Sequence, residues 1–149
     1  MGDIMTFEQM NLDKNIIQAL HTLGYEKPLP VQEKVIPNIL LGTDCIVKSR
    51  TGSGKTASFA IPIIQNLEID ERSPQALVLT PTRELALQIQ QDFDRIGTFK
   101  KIKTLPIFGK QPFKFQKEDL KQRCHVVIGT PGRVLDHLQQ QTLDPSKIR

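Results

Sequence analysis

Residues 49–56 read Ser-Arg-Thr-Gly-Ser-Gly-Lys-Thr, an order that suits a grip on phosphate. Glycines at positions 52 and 54 let backbone N–H groups turn inward with no Cβ in the way. A helical pattern follows at once, and a helix N-terminus adds partial positive charge toward an anion. Thr51, Gly52, Ser53 and Gly54 would wrap the phosphates of a nucleotide, Lys55 would reach the β and γ phosphates, and the Thr56 hydroxyl would bind Mg²⁺. Ser49 stands where the phosphate-loop pattern has its first Gly, while the central Gly-Ser-Gly-Lys-Thr is intact. The plain alternative is a Gly-rich turn between strand and helix. The order of strand, loop, Lys-Thr and helix favours the phosphate grip.

Other polar residues stand at similar places. Pro81, Thr82 and Arg83 follow an apolar run and open a helical pattern. A Thr hydroxyl, exposed backbone N–H groups and an Arg at a helix start suit a phosphodiester backbone, although Arg83-Glu84 also reads as a local ion pair. Thr130, Pro131, Gly132 and Arg133 are placed the same way, and Gly109 follows a third run. Residues 100–123 hold eight Lys and Arg against Glu118 and Asp119, a local +6 in a chain whose net charge is +4. A basic segment of this kind points to a polyanion or to a solvated helix face; taken alone, the solvated face is the simpler explanation.

Four short apolar runs, 45–47, 76–79, 105–108 and 126–128, must position these groups, and each is followed directly by a loop with Gly, Pro or Thr. Between them lie helical patterns. Ile16, Ile17, Leu20 and Leu23 recur at helical spacing, as do Val35, Ile36, Ile39 and Leu40. Residues 56–66, 83–97 and 134–141 also read as helices, with Pro62 an expected irregularity in the first of them. Continuous apolar strands alternating with helices predict an α/β fold with a parallel sheet covered on both faces. Ligands of such sheets bind at the carboxyl ends of the strands, where these loops fall.

Length and composition agree with one globular domain over 1–149. The chain is 38% hydrophobic and 24% charged, which excludes a disordered segment, and no apolar run approaches the roughly 18 residues of a membrane span. The N-terminus has no signal-peptide pattern. Met1-Gly2 with Thr6 has the form of a myristoylation pattern, but no polybasic stretch accompanies it. Cys45 and Cys124 lie in or beside apolar runs and read as small buried thiols of a cytoplasmic protein. No Cys/His spacing suggests a metal site.

Several separate segments together resemble the DEAD-box RNA helicases. The loop at 49–56 differs from the family's Ala-x-Thr-Gly-Ser-Gly-Lys-Thr only at Ser49. Residues 24–32, Gly-Tyr-Glu-Lys-Pro-Leu-Pro-Val-Gln, resemble its Q motif, with Leu29 where Thr or Ser is commoner, and Phe7 matches its isolated upstream aromatic. The segment 81–88 is similar to motif Ia, and 130–133 to motif Ib. Gly109 matches the first residue of the family's Gly-Gly element, while Lys110 replaces the second. Phe108-Gly109-Lys110, with Gln116 and Leu120 after it, resembles the DbpA/YxiN branch, which acts on ribosomal RNA. The resemblance covers the chain from Phe7 onward. It implies a RecA-like first helicase domain that uses ATP with Mg²⁺, with Gln32 selecting adenine and Phe7 stacking on it. It also implies that Pro81, Thr82, Arg83, Gly109, Thr130, Pro131, Gly132 and Arg133 hold RNA by its backbone, without reading sequence. A carboxamide can pair with two edge atoms of adenine, and an aromatic ring can stack on the base.

None of the four runs ends in Asp or Glu, so an acid to organise Mg²⁺ is missing from these residues, as is a second helicase domain. The predicted RecA-like sheet is therefore incomplete, with an open edge that invites self-association, beside the phosphate-loop strand. These 149 residues alone are expected not to turn over ATP; RNA-stimulated phosphate release at an ordinary enzymatic rate would sink that expectation. Two other classes share parts of the pattern. A different P-loop NTPase needs the phosphate loop but not Phe7, Gln32 and both Arg-bearing loops. A non-catalytic nucleotide- or RNA-binding module needs no acid at all.

Overall fold

The computed structural model describes residues 5–149; Met1 and Gly2 of the acylation-like pattern lie outside them. The chain divides into two compact units. One holds the residues up to Asn66 together with Arg95–Lys100, and the other holds Leu67–Asp94 with Lys101–Arg149.

The first unit is helical. A short 3-10 turn, Glu8–Met10, precedes α1 (Lys14–Thr22), α2 (Pro30–Leu40) and α3 (Lys55–Asn66). Buried Ile16, Ala19 and Leu20 on α1, and Val35 and Ile36 on α2, fall at helical spacing, as the apolar pattern predicts. Pro62, the expected irregularity, lies inside α3, and the helix runs on through it. Ala57, Ala60, Ile61 and Ile64 are buried along the helix. Their burial, at about 1.5–3 kcal/mol for each larger side chain, outweighs the roughly 3 kcal/mol that an interior Pro costs. Lys100 closes the end of α3: its Nζ donates to the carbonyls of Ile64 (2.8 Å) and Gln65 (2.9 Å) and pairs with Asp13 at 3.1 Å. A cation there also meets the negative end of the helix.

The predicted strand at 45–47 is not formed. Among the described residues no strand pairs with this segment, and Ile46 is fully exposed. A strand exists only when a neighbour takes up its backbone N–H and C=O groups, so the apolar run has nothing to order it. Cys45 is consequently exposed rather than buried. Cys124 is buried as expected, and burial pushes its thiol up to about 12, leaving it unreactive at neutral pH.

The second unit is a three-stranded parallel sheet with helices between the strands. β1 (Ala76–Leu79), β2 (Thr104–Ile107) and β3 (Val126–Gly129) lie in the order β1-β3-β2. Leu77, Val127 and Leu105 share one row across the three strands. That row joins Ile107, Cys124, Val134 and Leu143 in one core cluster. Val126 and Ile128 point to the opposite face by the period-two rule and are also fully buried, so the central strand is covered on both sides. β1 and β2 form the edges, and Leu79 on β1 is 54% exposed.

The crossovers required by parallel pairing are α4 (Arg83–Ile96), between β1 and β2, and α5 (Phe113–Asp119), between β2 and β3; α6 (Pro131–Gln139) follows β3. Helix α5 was not predicted from periodicity because its most buried residue is Gln116 rather than an apolar side chain. β2 starts one residue earlier than expected, and Phe108 turns into the core as the first loop residue.

Candidate functional site

The residues expected to face a nucleotide belong to the first unit, Phe7, Gln32 and 51–56 among them. Pro30 opens α2 at a position where its missing N–H costs nothing. Gln32 then folds back, its Oε1 accepting from the Leu29 N–H at 2.9 Å, while its Nε2 donates to the Gly54 carbonyl at 3.4 Å. The side chain is 3% exposed, so the carboxamide is fixed by both ends. A carboxamide offers two donors and two acceptor sites. One donor and one acceptor therefore remain, the pair that adenine's amino group and ring nitrogen require. Gly24, Tyr25, Glu26, Lys27, Leu29, Gln32, Gly52 and Gly54 line an open cleft of about 400 Å³ here.

Gly54 has no substitute. Its φ of +88° suits glycine, and a Cβ would lie 2.7 Å from both Gln32 Nε2 and Leu29 Cδ1. The loop is tied by its own side chains: the Ser49 hydroxyl donates to Ser53 Oγ at 2.6 Å, and the Lys55 ammonium donates to the Ser49 carbonyl. Ser49, the one departure in the pattern, thus joins the two halves of the loop. Lys55 and Thr56 form the first residues of α3, where the helix N-terminus and the ammonium add positive charge on one side. These residues fit a nucleotide's phosphates. For Mg²⁺ they supply one protein oxygen, on Thr56, which suits an ion that keeps most of its shell as water and phosphate oxygen. Among the described residues no cluster of His, Cys, Asp or Glu could hold a metal.

Phe7 is placed differently from expectation. Its ring is 1% exposed and stacks against Tyr25, with centroids 6.5 Å apart, and it does not line the cleft. The chain turns at Glu8–Met10 and carries Phe7 into the core. Tyr25 is the aromatic that reaches the cleft, and Phe7 backs it.

The second unit brings the other loops to the carboxyl ends of its strands. Residue 80 follows β1, and its N–H donates to the Gly129 carbonyl at the end of β3 (2.9 Å); Thr130 N–H in turn donates to Ile107 at the end of β2 (2.9 Å). The loops of Pro81-Thr82-Arg83, Gly109-Lys110 and Thr130-Pro131-Gly132-Arg133 therefore lie on one rim. A Cβ at Gly129 would sit 2.4 Å from the Ile107 carbonyl oxygen, so the strands close only over glycine. Thr82 starts α4 with its Oγ1 accepting from the Leu85 N–H at 3.2 Å, and Pro81, Thr82 and Arg83 are exposed. The Arg83 guanidinium lies over the Phe108 ring, 4.9 Å from its centroid.

Arg133 is held by this unit itself. Its Nη1 donates to the Gln111 carbonyl (2.7 Å) and to Gln116 Oε1 (3.0 Å), with the side chain 17% exposed. Gln116 Nε2 donates to the Phe108 carbonyl at 2.8 Å, and its Oε1 also meets His137 Nε2 at 3.0 Å. His137 is fully buried, stacks on Phe113 at 4.1 Å, and has Nδ1 2.7 Å from Thr142 Oγ1. Burial first, and then the Arg133 charge, lowers the His137 pKa below its ordinary 6.5. Residues 108–111 are thus pinned from below by Gln116 and Arg133. Arg133, expected to face RNA, is chiefly a strut for the Gly109 loop. Lys110 takes a left-handed φ of 64°, a conformation the family's glycine adopts freely and a lysine does not. Gln116 and His137 carried no functional signal in the sequence beyond the branch resemblance, because a network across α5 and α6 has no local pattern.

With the geometry established, likeness to known proteins is specific. The family profile described as DEAD/DEAH box helicase matches residues 29–148. The ATP-dependent RNA helicase DbpA of Bacillus subtilis (strain 168) is 53% identical over 142 residues, covering 95% of this chain and 30% of that protein. The DEAD-box ATP-dependent RNA helicase CshA of Geobacillus kaustophilus is 41% identical, over 93% of this chain and 30% of its own length. Among solved structures, a DEAD box protein from the hyperthermophile Methanococcus jannaschii superposes with a TM-score of 0.91 at 41% identity, covering 97% of this chain and 40% of that one. The chain spans about 30% of the length of these curated relatives.

Proposed function

This chain belongs to the DEAD/DEAH box helicase family, and from that premise we propose that it is the nucleotide-gripping part of an ATP-dependent RNA helicase, which remodels RNA duplexes by ATP hydrolysis. The observation that carries the nucleotide half is Gln32. Its carboxamide is buried, tied to the phosphate loop at Gly54, and left with one donor and one acceptor, in a residue that lines the cleft. The RNA half is supported by the shared rim of Thr82, Arg83, Gly109 and Thr130–Gly132 at the strand ends, which offers hydroxyl, N–H and guanidinium groups suited to a sugar-phosphate backbone. Mg²⁺ would accompany the nucleotide at Thr56. The resemblance of Phe108-Gly109-Lys110, with Gln116 and Leu120, to the DbpA/YxiN branch extends the proposal to ribosomal RNA as the substrate class. Two unpaired cysteines suit the reducing cytoplasm as its location.

The acid that organises the metal is not among the 149 residues, so hydrolysis is proposed for the whole protein, and nucleotide capture for these residues. Competition between ATP and GTP tests the reading. A bidentate pair contributes about 1–3 kcal/mol of discrimination, so ATP should be preferred by about tenfold or more, and Gln32→Ala should remove most of that preference. Equal discrimination before and after the substitution would mean that another P-loop chemistry is at work.

A further inference from the structure

We propose that the exposed lysine row of α5, Lys114, Lys117 and Lys121, is a second grip on the RNA strand, continuing from the Gly109-Lys110 loop. This rests on the RNA reading above and adds a surface that the rim does not include.

The face follows from helix geometry. Lys114 and Lys117 are on α5, and Lys121 is on the turn that continues it, where Leu120 N–H still donates to Gln116 and Lys121 N–H to Glu118. Spacings of three and seven residues put the three ammonium groups on one side, over about 10 Å of rise. Gln116 points the other way into the buried network, which fixes the rotation of the helix and turns the lysines to solvent. Phe115, 65% exposed, lies about 100° round the helix from Lys114, on the side of Glu118 and Asp119 rather than in the lysine row.

The three charges converge and are not cancelled. Lys121 Nζ lies 2.9 Å from Glu118 Oε1, and this bond, with the fields of Lys117 and Lys114, holds the Glu118 carboxyl below its ordinary value. One carboxylate among three ammonium groups leaves about two positive charges on the face. Lysine is a point charge on a flexible stem, suited to phosphates without fixed geometry. A row of such charges suits a line of phosphates better than a single one. Position agrees as well: α5 starts three residues after Lys110, which is exposed at the rim.

The experiment measures binding of a labelled single-stranded uridine homopolymer to the full-length protein by anisotropy, between about 50 and 200 mM KCl. Each phosphate contact on a single strand contributes about 0.7 to the slope of log affinity against log salt. The triple variant Lys114→Gln/Lys117→Gln/Lys121→Gln should lower that slope by about 2 and weaken binding about tenfold or more. Lys14→Gln/Lys101→Gln/Lys147→Gln removes as many exposed charges elsewhere and should behave as wild type. If the α5 variant matches that control while wild type binds RNA, the second grip is wrong and the rim reading stands. If wild type binds no RNA at any salt, both fall together.

Discussion

Gly54→Ala is expected to weaken ATP binding at least about 100-fold while the protein stays folded. The new Cβ would sit 2.7 Å from Gln32 Nε2 and Leu29 Cδ1, and a φ of +88° is unfavourable for alanine. The backbone term alone is about 1–2 kcal/mol, and relief of the clash requires one of two movements. If Gln32 withdraws, it gives up the bond to the loop and its aim at the base. If the loop turns over, its N–H groups leave the phosphates. Either way the nucleotide loses one half of its site, which is why the effect exceeds the strain. Titration with a fluorescent ATP analogue measures it, with thermal unfolding as the check on the fold. Gly132→Ala is the control, since nothing lies within 4 Å of its Cβ position. Affinity of the Gly54 variant within threefold of wild type would show that loop and Q motif are not coupled as the distances indicate.

Gln116→Ala is expected to cost about 3 kcal/mol or more of stability and to lower RNA-stimulated ATPase of the full-length protein more than its basal rate. One carboxamide serves the Phe108 carbonyl, Arg133 and the fully buried His137. A buried polar group left unpaired costs about 1–3 kcal/mol, and this substitution strands more than one. The loop at 108–111 then loses its support, so the damage falls on the rim and spares the nucleotide cleft. Urea unfolding and paired ATPase assays with and without RNA separate the two effects. Equal loss of both rates would reduce Gln116 to a stability role.

The same network sets a pH dependence. Because burial and Arg133 lower the folded-state pKa of His137, the unfolded chain binds the proton more readily. Its contribution is therefore fully present above about pH 6.5, the ordinary histidine value, and is lost as pH falls through the folded value. Unfolding at pH 7.5 and 5.5 should show this loss in wild type and less of it in His137→Gln.

Much of the candidate nucleotide site is legible because its determinants are local. A phosphate loop is a property of consecutive residues: the order Gly-Ser-Gly-Lys-Thr before a helix requires only backbone φ and a helix N-terminus, and the structure places Lys55 and Thr56 there. Two of the four apolar runs became strands nearly residue for residue. The third shifted by one, since Phe108 packs as well in a loop as in a strand. Gln32 was identified by its motif, and its mode of use, a bond to Gly54 twenty-two residues away, came only from the structure.

What the sequence by itself determined is the chemistry available at each loop: glycines that can turn, a lysine and a threonine at a helix start, a carboxamide, and basic residues gathered in one segment. Those follow from residue type and short spacing, where covalent neighbours dictate the geometry. Tertiary structure decided which of these groups are free to act. Phe7 is buried behind Tyr25, Arg133 is drawn into a bond with Gln116, and the run at 45–47 stays out of the sheet for want of a neighbour. Each outcome depends on partners far away in the chain. A hydrogen bond or a strand pairing is a property of two segments, and neither segment alone carries it.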